Sequence, residues 1–559
     1  MAMRPARLLL LLLLFLADPA LAERGPQAAI ASAHPLATSA GREILEAGGN
    51  AFDAAVAVSA TLAVVEPYGS GLGGGGFWLL HRAKDGRDVM LDGRERAPLA
   101  AHAALYQDAE GQVLPKASLH GPLAAAIPGT PAALAHLAEH YGRLPLARSL
   151  RPAIHLARAG FPVDAHFLQM LHWRRDALNE EARRLLLDQG ALPAPGWRLR
   201  QPELAQTLER LAAQGHDGFY RGPIARDLVA EVRAAGGIWR LQDLREYRVV
   251  EREPVRGRYH GIEVISAPPP SAGGVGLIGM LNILEHYDLS TLEPTQRIHL
   301  IVEAMRRAYR DRAEYLGDPD HVAMPLARLL SKDYAAGLAQ GIHPRRATPS
   351  ELLAPVNPQR PGGEDTTHFS IIDADGNRVA ATLSINYPFG SGFMAPGTGI
   401  LLNNEMDDFA AAVGKANAYG LVGTAPNTIA PGKRPLSSMT PTFLVDGERV
   451  AVLGTPGGSR IITMVLLGAL SFADGEEPTR WVSLPRYHHQ YLPDHIQFEP
   501  GALPEAVRDQ LRAMGHALKA RQRRYGDMQA VRRDGDGLKA AADPRGVGQA
   551  QVFAPAPSR

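Results

Sequence analysis

The segment from residue 366 to 386 constrains the fold most, because two alternating runs flank a short glycine turn. TTHFSIID and RVAATLSIN alternate in opposite senses around ADG. A register that pairs His368 with Thr382 keeps polar and apolar residues on separate faces, whereas a shift by one residue mixes them. The sequence therefore predicts a β-hairpin with this register.

The polar face of this hairpin raises a question about its first threonine. The face contains Thr366, His368, Ser370, Thr382, Ser384 and Asn386. In the predicted register Thr366, and not Thr367, lies on it, about 5 Å from Ser384 across the strands. Thr366 is then either an ordinary strand residue, as most threonines here are, or a nucleophile exposed when the chain is cut before it.

The preceding segment favours a cut. Residues 343–365 are rich in proline, end in PGGED and show little periodicity, which predicts a linker. A bond that is to be cut must lie in backbone that can distort, and the released end must move away. An amino-terminal Thr366 carries its own base, because an α-amine with a pKa near 7.7–8.0 is partly uncharged at neutral pH.

Composition excludes several classes of function. The 559 residues are 45% hydrophobic, which allows a large core, and the net charge of +1 gives no reason to expect nucleic acid as a partner. The absence of cysteine excludes thiol nucleophiles, thiolate metal sites and disulfides. The histidines of RYHHQYLPDH at 486–495 lack the spacing of a helical zinc motif, so we expect structural or surface roles and no metal.

The first 22 residues have the pattern of a signal peptide. Two arginines precede an apolar run, and ALA stands before Glu23. The run is shorter than the about 20 apolar residues of a membrane span. We therefore expect cleavage after Ala22 and export to a periplasm or to the medium, and the sequence does not distinguish these two destinations.

Two glycine-rich stretches have patterns close to known ligand-binding motifs. GLGGGG at 71–76 follows a helical pattern and precedes a strand, the reverse of a dinucleotide site, so it predicts close backbone packing. VAVLGTPGGSRIITMVLLGAL predicts strand, turn and helix, with Ser459 as the helix cap. The N–H groups of Gly457 and Gly458 could form an oxyanion hole there, although an ordinary turn is the alternative.

Eight segments in order resemble γ-glutamyltranspeptidases, of the amino-terminal-nucleophile hydrolase superfamily. They are GGNAFDAAVA, VEPYGSGLGGGGF, DGRERAP, TTHFSIID, GILLNNEMDDF, RPLSSMTPT, GTPGGSR and ADPRGVG. The resemblance implies an α/β fold, a four-layer αββα sandwich. It also implies that the precursor cuts itself between Asp365 and Thr366 into a large subunit (23–365) and a small subunit (366–559), which stay together as a heterodimer without metal or organic cofactor.

The resemblance further implies a reaction and a set of site residues. Thr366 would attack the γ-carbonyl of glutathione or another γ-glutamyl compound and pass the glutamyl group to an amino acid, a dipeptide or water. The implied ligands of the α-carboxylate are Arg94, Ser437 and Ser438, and those of the α-ammonium are Asn386, Glu405 and Asp408. Gly457 and Gly458 match the oxyanion glycines, Ser384 stands where many relatives carry a Thr bonded to the nucleophile, and Tyr419 matches the gating aromatic of a lid loop at 415–427.

Two alternatives remain open at this point. A cephalosporin or glutaryl side-chain acylase would share the fold and the nucleophile, but its substrates carry no α-ammonium for Glu405 and Asp408. A periplasmic glutamyl-binding protein that never matures is the other alternative. The sequence leaves open the physiological donor and acceptor, the ratio of hydrolysis to transfer, and the oligomeric state beyond the heterodimer.

Overall fold

The computed structural model describes residues 27–353 and 366–555. The predicted signal peptide (1–22) and the cleavage-site residue Asp365 lie outside the described residues. None of the described helices combines the length and the apolar character that crossing a bilayer requires.

The strands are numbered in chain order. They are β1 (Ala28–Ser32), β2 (Gly75–Arg82), β3 (Arg87–Gly93), β4 (Phe161–Pro162), β5 (Arg198–Leu199), β6 (Val250–Arg252), β7 (Val255–Tyr259), β8 (Ile262–Ser266), β9 (Thr367–Ile372), β10 (Arg378–Ser384), β11 (Met394–Ala395), β12 (Ile400–Leu401), β13 (Thr442–Asp446), β14 (Arg449–Gly454), β15 (Tyr487–His488), β16 (Ile496–Phe498), β17 (Leu518–Ala520), β18 (Gln529–Asp534), β19 (Gly537–Ala542) and β20 (Gln549–Phe553).

The α-helices are numbered in the same way. They are α1 (Pro35–Glu46), α2 (Ala51–Val65), α3 (Thr130–His140), α4 (Leu146–Ala159), α5 (Ala165–Arg174), α6 (Glu180–Leu186), α7 (Pro202–Gln214), α8 (His216–Tyr220), α9 (Gly222–Ala234), α10 (Leu241–Arg245), α11 (Gly273–Leu284), α12 (Pro294–Tyr315), α13 (Leu326–Leu329), α14 (Lys332–Gln340), α15 (Ile461–Ala473), α16 (Pro478–Ser483) and α17 (Glu505–Ala513).

Two antiparallel sheets form the centre of the described structure. The larger has the strand order β20-β1-β9-β10-β2-β3-β6, and the second has the order β19-β18-β14-β13-β8-β7. Strand β9 packs against β14 and β18 of the opposite sheet. Helix α2 covers the outer face of the first sheet, and α11 and α15 cover the outer face of the second. The expected four-layer αββα sandwich is confirmed, and both sides of the predicted cleavage site contribute strands to it.

Helix α2 shows how the sequence builds one outer layer. The side chain of Asn50 accepts hydrogen bonds from the N–H groups of Phe52 and Asp53, and Asp53 accepts from the N–H of Asn50, which forms a capping box. Every residue of this helix is buried, as expected for a helix that is apolar on all sides. Its partners on the sheet include Phe369 and Ile371, the apolar face of the predicted hairpin.

The predicted hairpin register is confirmed. Strands β9 and β10 pair His368 with Thr382 and Thr367 with Leu383. Thr366 is the residue immediately before β9 and is 9% exposed. In contrast to the usual position of a polar face, this one lies between the two sheets, where a Cβ on Gly454 of β14 would approach the His368 ring within 2.2 Å.

Hydrogen bonds between side chains make this burial possible. His368 shares one with the hydroxyl of Thr382 at 2.8 Å and one with the hydroxyl of Ser370 at 3.2 Å. Burial lowers the pKa of His368 to about 3, so the imidazole is neutral. A neutral, bonded histidine is an acceptable core residue, whereas an unpaired one would cost free energy.

The glycine run at 71–76 serves close packing, as predicted. A Cβ on Gly73 would lie 1.9 Å from the carbonyl oxygen of Leu401, and one on Gly74 would lie 2.1 Å from that of Ser384. These contacts hold the residues just before β2 against β12 and against the end of β10. The run thus sets the position of the strand end that carries Ser384.

Candidate active site

Thr366 lines a small cavity together with side chains from distant parts of the chain. The lining residues are Thr366, Ser384, Asn386, Glu405, Asp408, Tyr419, Leu421, Ser437, Ser438, Met439, Gly458, Ser459 and Ile461. Of the described residues that the sequence singled out for the site, only Arg94 and Gly457 are outside this lining. The structure therefore brings the predicted site together in one place.

The floor of the cavity is the end of β10 and the turn after it. The hydroxyl of Ser384 accepts a hydrogen bond from the N–H of Asn386 at 2.7 Å. Asn386 has a φ of 71°, a left-handed conformation that asparagine tolerates better than most residues. Its amide group donates to the carbonyl of Asn404 at 2.9 Å, which fixes its direction.

Glu405 and Asp408 are the two ends of one turn of 3₁₀ helix, Glu405–Asp408. The side chain of Asn403 accepts the N–H of Glu405 at 2.9 Å and so anchors the start of the turn. The sequence predicted that one ammonium could reach both acids, and the shared turn places both carboxylates on the cavity.

Arg94 lies behind these acids rather than on the cavity wall. Its guanidinium donates to Glu405 and Asp408, and its Nε donates to the carbonyl of Pro435 at 3.1 Å. The side chain is fully buried. Burial opposes the charge, but the carboxylates of Glu405, Asp408 and Glu95 outweigh it and raise the pKa of Arg94. Arg94 is therefore a permanent cation that holds both acids in place.

Glu95 is a member of this cluster that the sequence analysis missed. It is fully buried, 3.5 Å from the Arg94 Nη1, and within the described residues neither of its carboxylate oxygens has a hydrogen-bond partner. Burial and the neighbouring Glu405 raise the pKa of Glu95 well above its ordinary value. Burial likewise raises the pKa of Glu405. In the sequence Glu95 is one charge in DGRERAP, and no local signal distinguishes it from a surface residue.

Ser437 and Ser438 form another wall of the cavity. The N–H of Ser437 donates to the carbonyl of Pro270 at 2.8 Å, and its hydroxyl accepts from the N–H of Met439 at 3.1 Å. The hydroxyl of Ser438 is buried and has no hydrogen-bond partner within 27–353 and 366–555. A buried hydroxyl on a cavity wall is ready to donate to an anionic ligand.

The segment predicted to be a lid covers the cavity. The hydroxyl of Tyr419 donates to the carbonyl of Asn386 at 3.0 Å, and the ring of Tyr419 lies 5.6 Å from that of Tyr387. Asn417 donates to a carboxylate oxygen of Asp408 at 3.1 Å. The segment is thus bonded to two of the predicted substrate ligands.

The glycine turn before α15 differs from the prediction in one detail. Gly457 and Gly458 have φ values of 140° and 56°, conformations that suit glycine. A 3₁₀ turn, Gly458–Arg460, precedes the helix, and no side chain caps it. The assignment of Ser459 as a helix cap was therefore wrong, because the extra turn places Ser459 inside it, where its hydroxyl donates to Gln490 at 2.8 Å.

Two of the histidines at 486–495, His488 and His489, have the structural roles that the sequence predicted. His488 shares hydrogen bonds with Thr463 at 2.9 Å and Gln490 at 2.8 Å, and His489 shares one with Asp494 at 3.1 Å. Burial lowers the pKa of His489 to about 4 and that of His488 well below its ordinary value. These rings connect elements of the core.

A second group of buried residues has ligand atoms close enough for a metal. The possible ligand atoms of His299, Glu303 and His516 lie within 4.8 Å of one another. However, the two histidines share a hydrogen bond of 2.8 Å, and Glu303 pairs with Arg306 and Arg307. These groups are thus engaged with each other and with arginines, an arrangement typical of a structural cluster.

Comparisons with known proteins identify the family of this chain. A family model described as Gamma-glutamyltranspeptidase matches residues 37–553. A "Glutathione hydrolase proenzyme" of Pseudomonas sp. (strain A14) is 45% identical, covering 88% of this chain and 87% of the relative. A protein of the same name from Escherichia coli (strain K12) is 42% identical over 94% of this chain and 91% of its own length.

Solved structures give the same picture of the fold. A cephalosporin acylase from Bacillus halodurans has a TM-score of 0.82 at 28% identity and covers 97% of this chain and 99% of its own. The γ-glutamyltranspeptidase of Helicobacter pylori has a TM-score of 0.57 at 40% identity, with 58% of this chain and 94% of its own chain covered. Given the match over nearly all of its length, the chain belongs to the γ-glutamyltranspeptidase family of amino-terminal-nucleophile hydrolases.

Proposed function

We propose that this chain is a self-processing γ-glutamyltransferase that also hydrolyses glutathione. The observation that carries the proposal is the single cavity shared by Thr366, the acid pair Glu405 and Asp408, and the hydroxyls of Ser437 and Ser438. An α-amino acid head group needs both acceptors and donors, and the cavity that Thr366 lines offers both. Close relatives bear the name glutathione hydrolase proenzyme.

The head group of a γ-glutamyl substrate would bind at the far end of this cavity. Glu405 and Asp408 accept hydrogen bonds from its α-ammonium, together with the side-chain oxygen of Asn386. Ser437 and Ser438 donate to its α-carboxylate. Arg94 orients the two acids and adds positive charge, and it reaches the carboxylate directly only if its pair with Glu405 opens.

Maturation would create the nucleophile. The hydroxyl of Thr366 attacks the carbonyl of Asp365, and the peptide bond is exchanged for an ester. Water then hydrolyses this ester, which ends the covalent link between the large subunit (23–365) and the small subunit (366–559). The α-amine that results becomes the base for the same hydroxyl. Because strands from both segments share each sheet, the two subunits stay together.

Catalysis would then proceed through an ester on Thr366. Its α-amine accepts the hydroxyl proton while the oxygen attacks the γ-carbonyl, and the N–H groups of Gly457 and Gly458 stabilise the oxyanion. The leaving amine takes the proton, and the glutamyl ester passes to an amine or to water. Ser384, next to Thr366 on the cavity floor, orients the nucleophile by a hydrogen bond between the hydroxyls.

The lid would influence whether an amine or water accepts the glutamyl group. Tyr419 covers the cavity with its ring against Gly458, where a Cβ would meet it at 2.5 Å. Excluding water from the ester favours transfer to a bound amine. Deletion of 415–427 tests this role, since an unchanged ratio of transfer to hydrolysis would contradict it.

The enzyme would act outside the cytosol. We propose that residues 1–22 are removed as a signal peptide and that the enzyme works in a periplasm or outside the cell, on extracellular glutathione and related compounds. Amino acids and dipeptides serve as acceptors.

A side-chain acylase is the second candidate. The Bacillus halodurans structure is named a cephalosporin acylase, and an "Acylase ACY 1 proenzyme" of Pseudomonas sp. (strain SE83) is 38% identical, covering 93% of this chain and 92% of its own length. Glutaryl substrates carry no α-ammonium, so Glu405 and Asp408 would face them without a partner. Two carboxylates on the cavity therefore favour the transferase.

Competition between glutamate and glutarate separates the two candidates. We expect L-glutamate to inhibit hydrolysis of γ-glutamyl-p-nitroanilide at least tenfold more strongly than glutarate, which lacks the ammonium, and Asp408→Asn to reduce this difference. Equal inhibition, together with faster hydrolysis of a glutaryl amide, would establish the acylase instead. A purified chain that stays uncut and cleaves neither substrate would point to a binding protein.

A further inference from the structure

Thr366 also lines a second and larger space, on the other side of the glycine turn. This cleft has a volume of about 620 Å³. Its walls are one side of α5, from His166 to Trp173, the segment 519–527 and the turn at Gly546. Of the residues that line the small cavity, Thr366 alone also lines the cleft.

The glycine turn straddles the same boundary. Gly458 lines the small cavity, whereas Gly457 lines the cleft. An amide whose carbonyl lies at Thr366 and whose oxygen faces this turn must extend to both sides. With its acyl half in the small cavity, its amine half enters the cleft.

The cleft has a basic rim, defined here as Lys519, Arg521, Arg523 and Arg524. Lys519 belongs to β17, the three arginines follow it before β18, and all four residues line the cleft. Lys519, Arg523 and Arg524 are exposed and form no salt bridge among the described residues. A fifth cation, Arg545, is instead committed to Glu499 and Asp543.

The acids of the cleft do not cancel this charge. Glu66 and Asp527 are the carboxylic acids among its lining residues. Burial raises the pKa of Glu66 to about 7 and that of Asp527 well above its ordinary value. Both acids therefore carry less than a full negative charge at neutral pH, and the cleft is positive next to the nucleophile.

We propose that this cleft is the leaving-group and acceptor subsite and that the basic rim selects amines that carry a carboxylate. The proposal rests on the proposed function, which already names amino acids and dipeptides as acceptors, and it assigns to the basic rim the preference for a free carboxylate over an uncharged amine. The leaving amine and the acceptor use one subsite, since each is the partner of the same carbonyl in opposite directions of one reaction.

The transfer step then balances within the two spaces. The amine of an acceptor in the cleft attacks the glutamyl ester, so that a new C–N bond forms and the C–O bond to Thr366 breaks. The proton lost by the amine returns to the Thr366 hydroxyl through the α-amine. The basic rim holds the acceptor carboxylate at the other end and takes no part in the bond changes.

Trp173 provides an apolar surface in the same subsite. Its side chain is 51% exposed, which is high for a tryptophan, and it lines the cleft. Its ring lies 5.8 Å from that of Tyr387, which in turn contacts Tyr419 of the lid. The side chain of an acceptor that packs on Trp173 therefore lies next to the residues that close the cavity.

Substrates that differ only in the charge of the amine test the proposal. The variant is Arg523→Gln/Arg524→Gln in the processed enzyme, and the donors are glutathione, whose leaving group has a carboxylate, and γ-glutamyl-p-nitroanilide, whose leaving group is uncharged. We expect kcat/KM for glutathione to fall about tenfold, as two partly exposed charge contacts would give. Hydrolysis of the anilide should stay within about twofold.

Acceptors provide the second readout. With γ-glutamyl-p-nitroanilide as donor, the wild type should prefer glycylglycine to glycylglycinamide, and the double variant and added salt should both weaken this preference. Arg512→Gln is the matched control, because Arg512 is half exposed, pairs with Asp509 on its own helix and does not line the cleft. This control should leave kcat/KM unchanged for both donors.

Two results would overturn the proposal in different ways. If the double variant and the wild type treat both donors and both acceptors alike, or if glutathione and the anilide lose activity equally, the basic rim does not select carboxylates. If the wild type itself cleaves neither donor, the proposed function fails, and the subsite fails with it.

Discussion

The hydroxyl of Tyr419 donates a hydrogen bond to the backbone carbonyl of Asn386 at 3.0 Å. This bond ties the lid to the turn that follows β10, at the point where the ammonium of a glutamyl group would bind. The ring of Tyr419 lies at the same time against Gly458. One residue thus connects the lid, the substrate pocket and the proposed oxyanion hole.

Tyr419→Phe should loosen the lid without emptying the space that the ring fills. The lost hydrogen bond contributes about 0.5–1.5 kcal/mol, so we expect the ratio of transfer to hydrolysis to fall about threefold to tenfold. Product analysis with glycylglycine as acceptor measures this ratio. An unchanged ratio would show that the bond does not control access of water.

Gly458→Ala should damage both the oxyanion hole and the lid. A Cβ there would lie 2.5 Å from the Tyr419 ring, and the φ of 56° disfavours alanine. We expect kcat to fall about 100-fold, the usual cost of losing an oxyanion donor. Combining the change with Tyr419→Ala removes the steric clash but not the backbone strain. Full recovery of kcat in the double variant would refute a role for the turn in stabilising the oxyanion.

The alternation of the hairpin allowed its register to be predicted, because only one pairing separates its two faces. Sequence could not show that the polar face is buried. That depends on bonds such as the one from Ser370 to the carbonyl of Gln529 in the opposite sheet, at 3.1 Å. The packing role of GLGGGG could be predicted because the helix before it and the strand after it exclude a dinucleotide site, but its distant partners Leu401 and Ser384 could not.

The charged cluster around Arg94 shows what the sequence could not reveal. The family resemblance assigned Arg94 to the carboxylate and Glu405 and Asp408 to the ammonium, but the structure pairs Arg94 with both acids. Partners more than 300 residues apart leave no local pattern. Glu95 and the basic rim were missed for the same reason, because each becomes notable only through what the fold places beside it.

Arg94→Gln should destabilise the protein strongly. It leaves the buried Glu405 and the partly buried Asp408 without their cation, and breaking a buried pair costs about 3–5 kcal/mol. Denaturant unfolding in a Thr366→Ala background, where the chain is expected to stay in one piece, measures the loss. Arg87→Gln is the control, since its pair with Glu251 is largely exposed and should contribute less than about 1 kcal/mol. Equal losses would contradict the buried cluster.

Glu66 should make stability depend on pH. Burial raises its pKa from 4.5 to about 7, against hydrogen bonds from Thr367 and Tyr68 that lower it. A raised pKa means that the folded state holds the proton more tightly, so this stabilisation is complete below pH 4.5 and is lost as pH rises through 7. Relative to Glu66→Gln, the wild type should lose about 3 kcal/mol between pH 4.5 and 8.

The comparison of these two proteins isolates Glu66, because all other titrating groups are common to both. Denaturant unfolding at several pH values, again in the Thr366→Ala background, provides the difference in the free energy of unfolding. A difference that does not change with pH would show that Glu66 is not protonated in the folded state.

The central claim is that Thr366 becomes an amino-terminal nucleophile. Intact mass and amino-terminal sequencing of the purified protein, beside Thr366→Ala, test it most directly. The account predicts two fragments from the wild type, one of which begins at Thr366, and a single chain from the variant. A wild-type chain that remains whole after prolonged incubation, or a variant that is cut at the same bond, would contradict it.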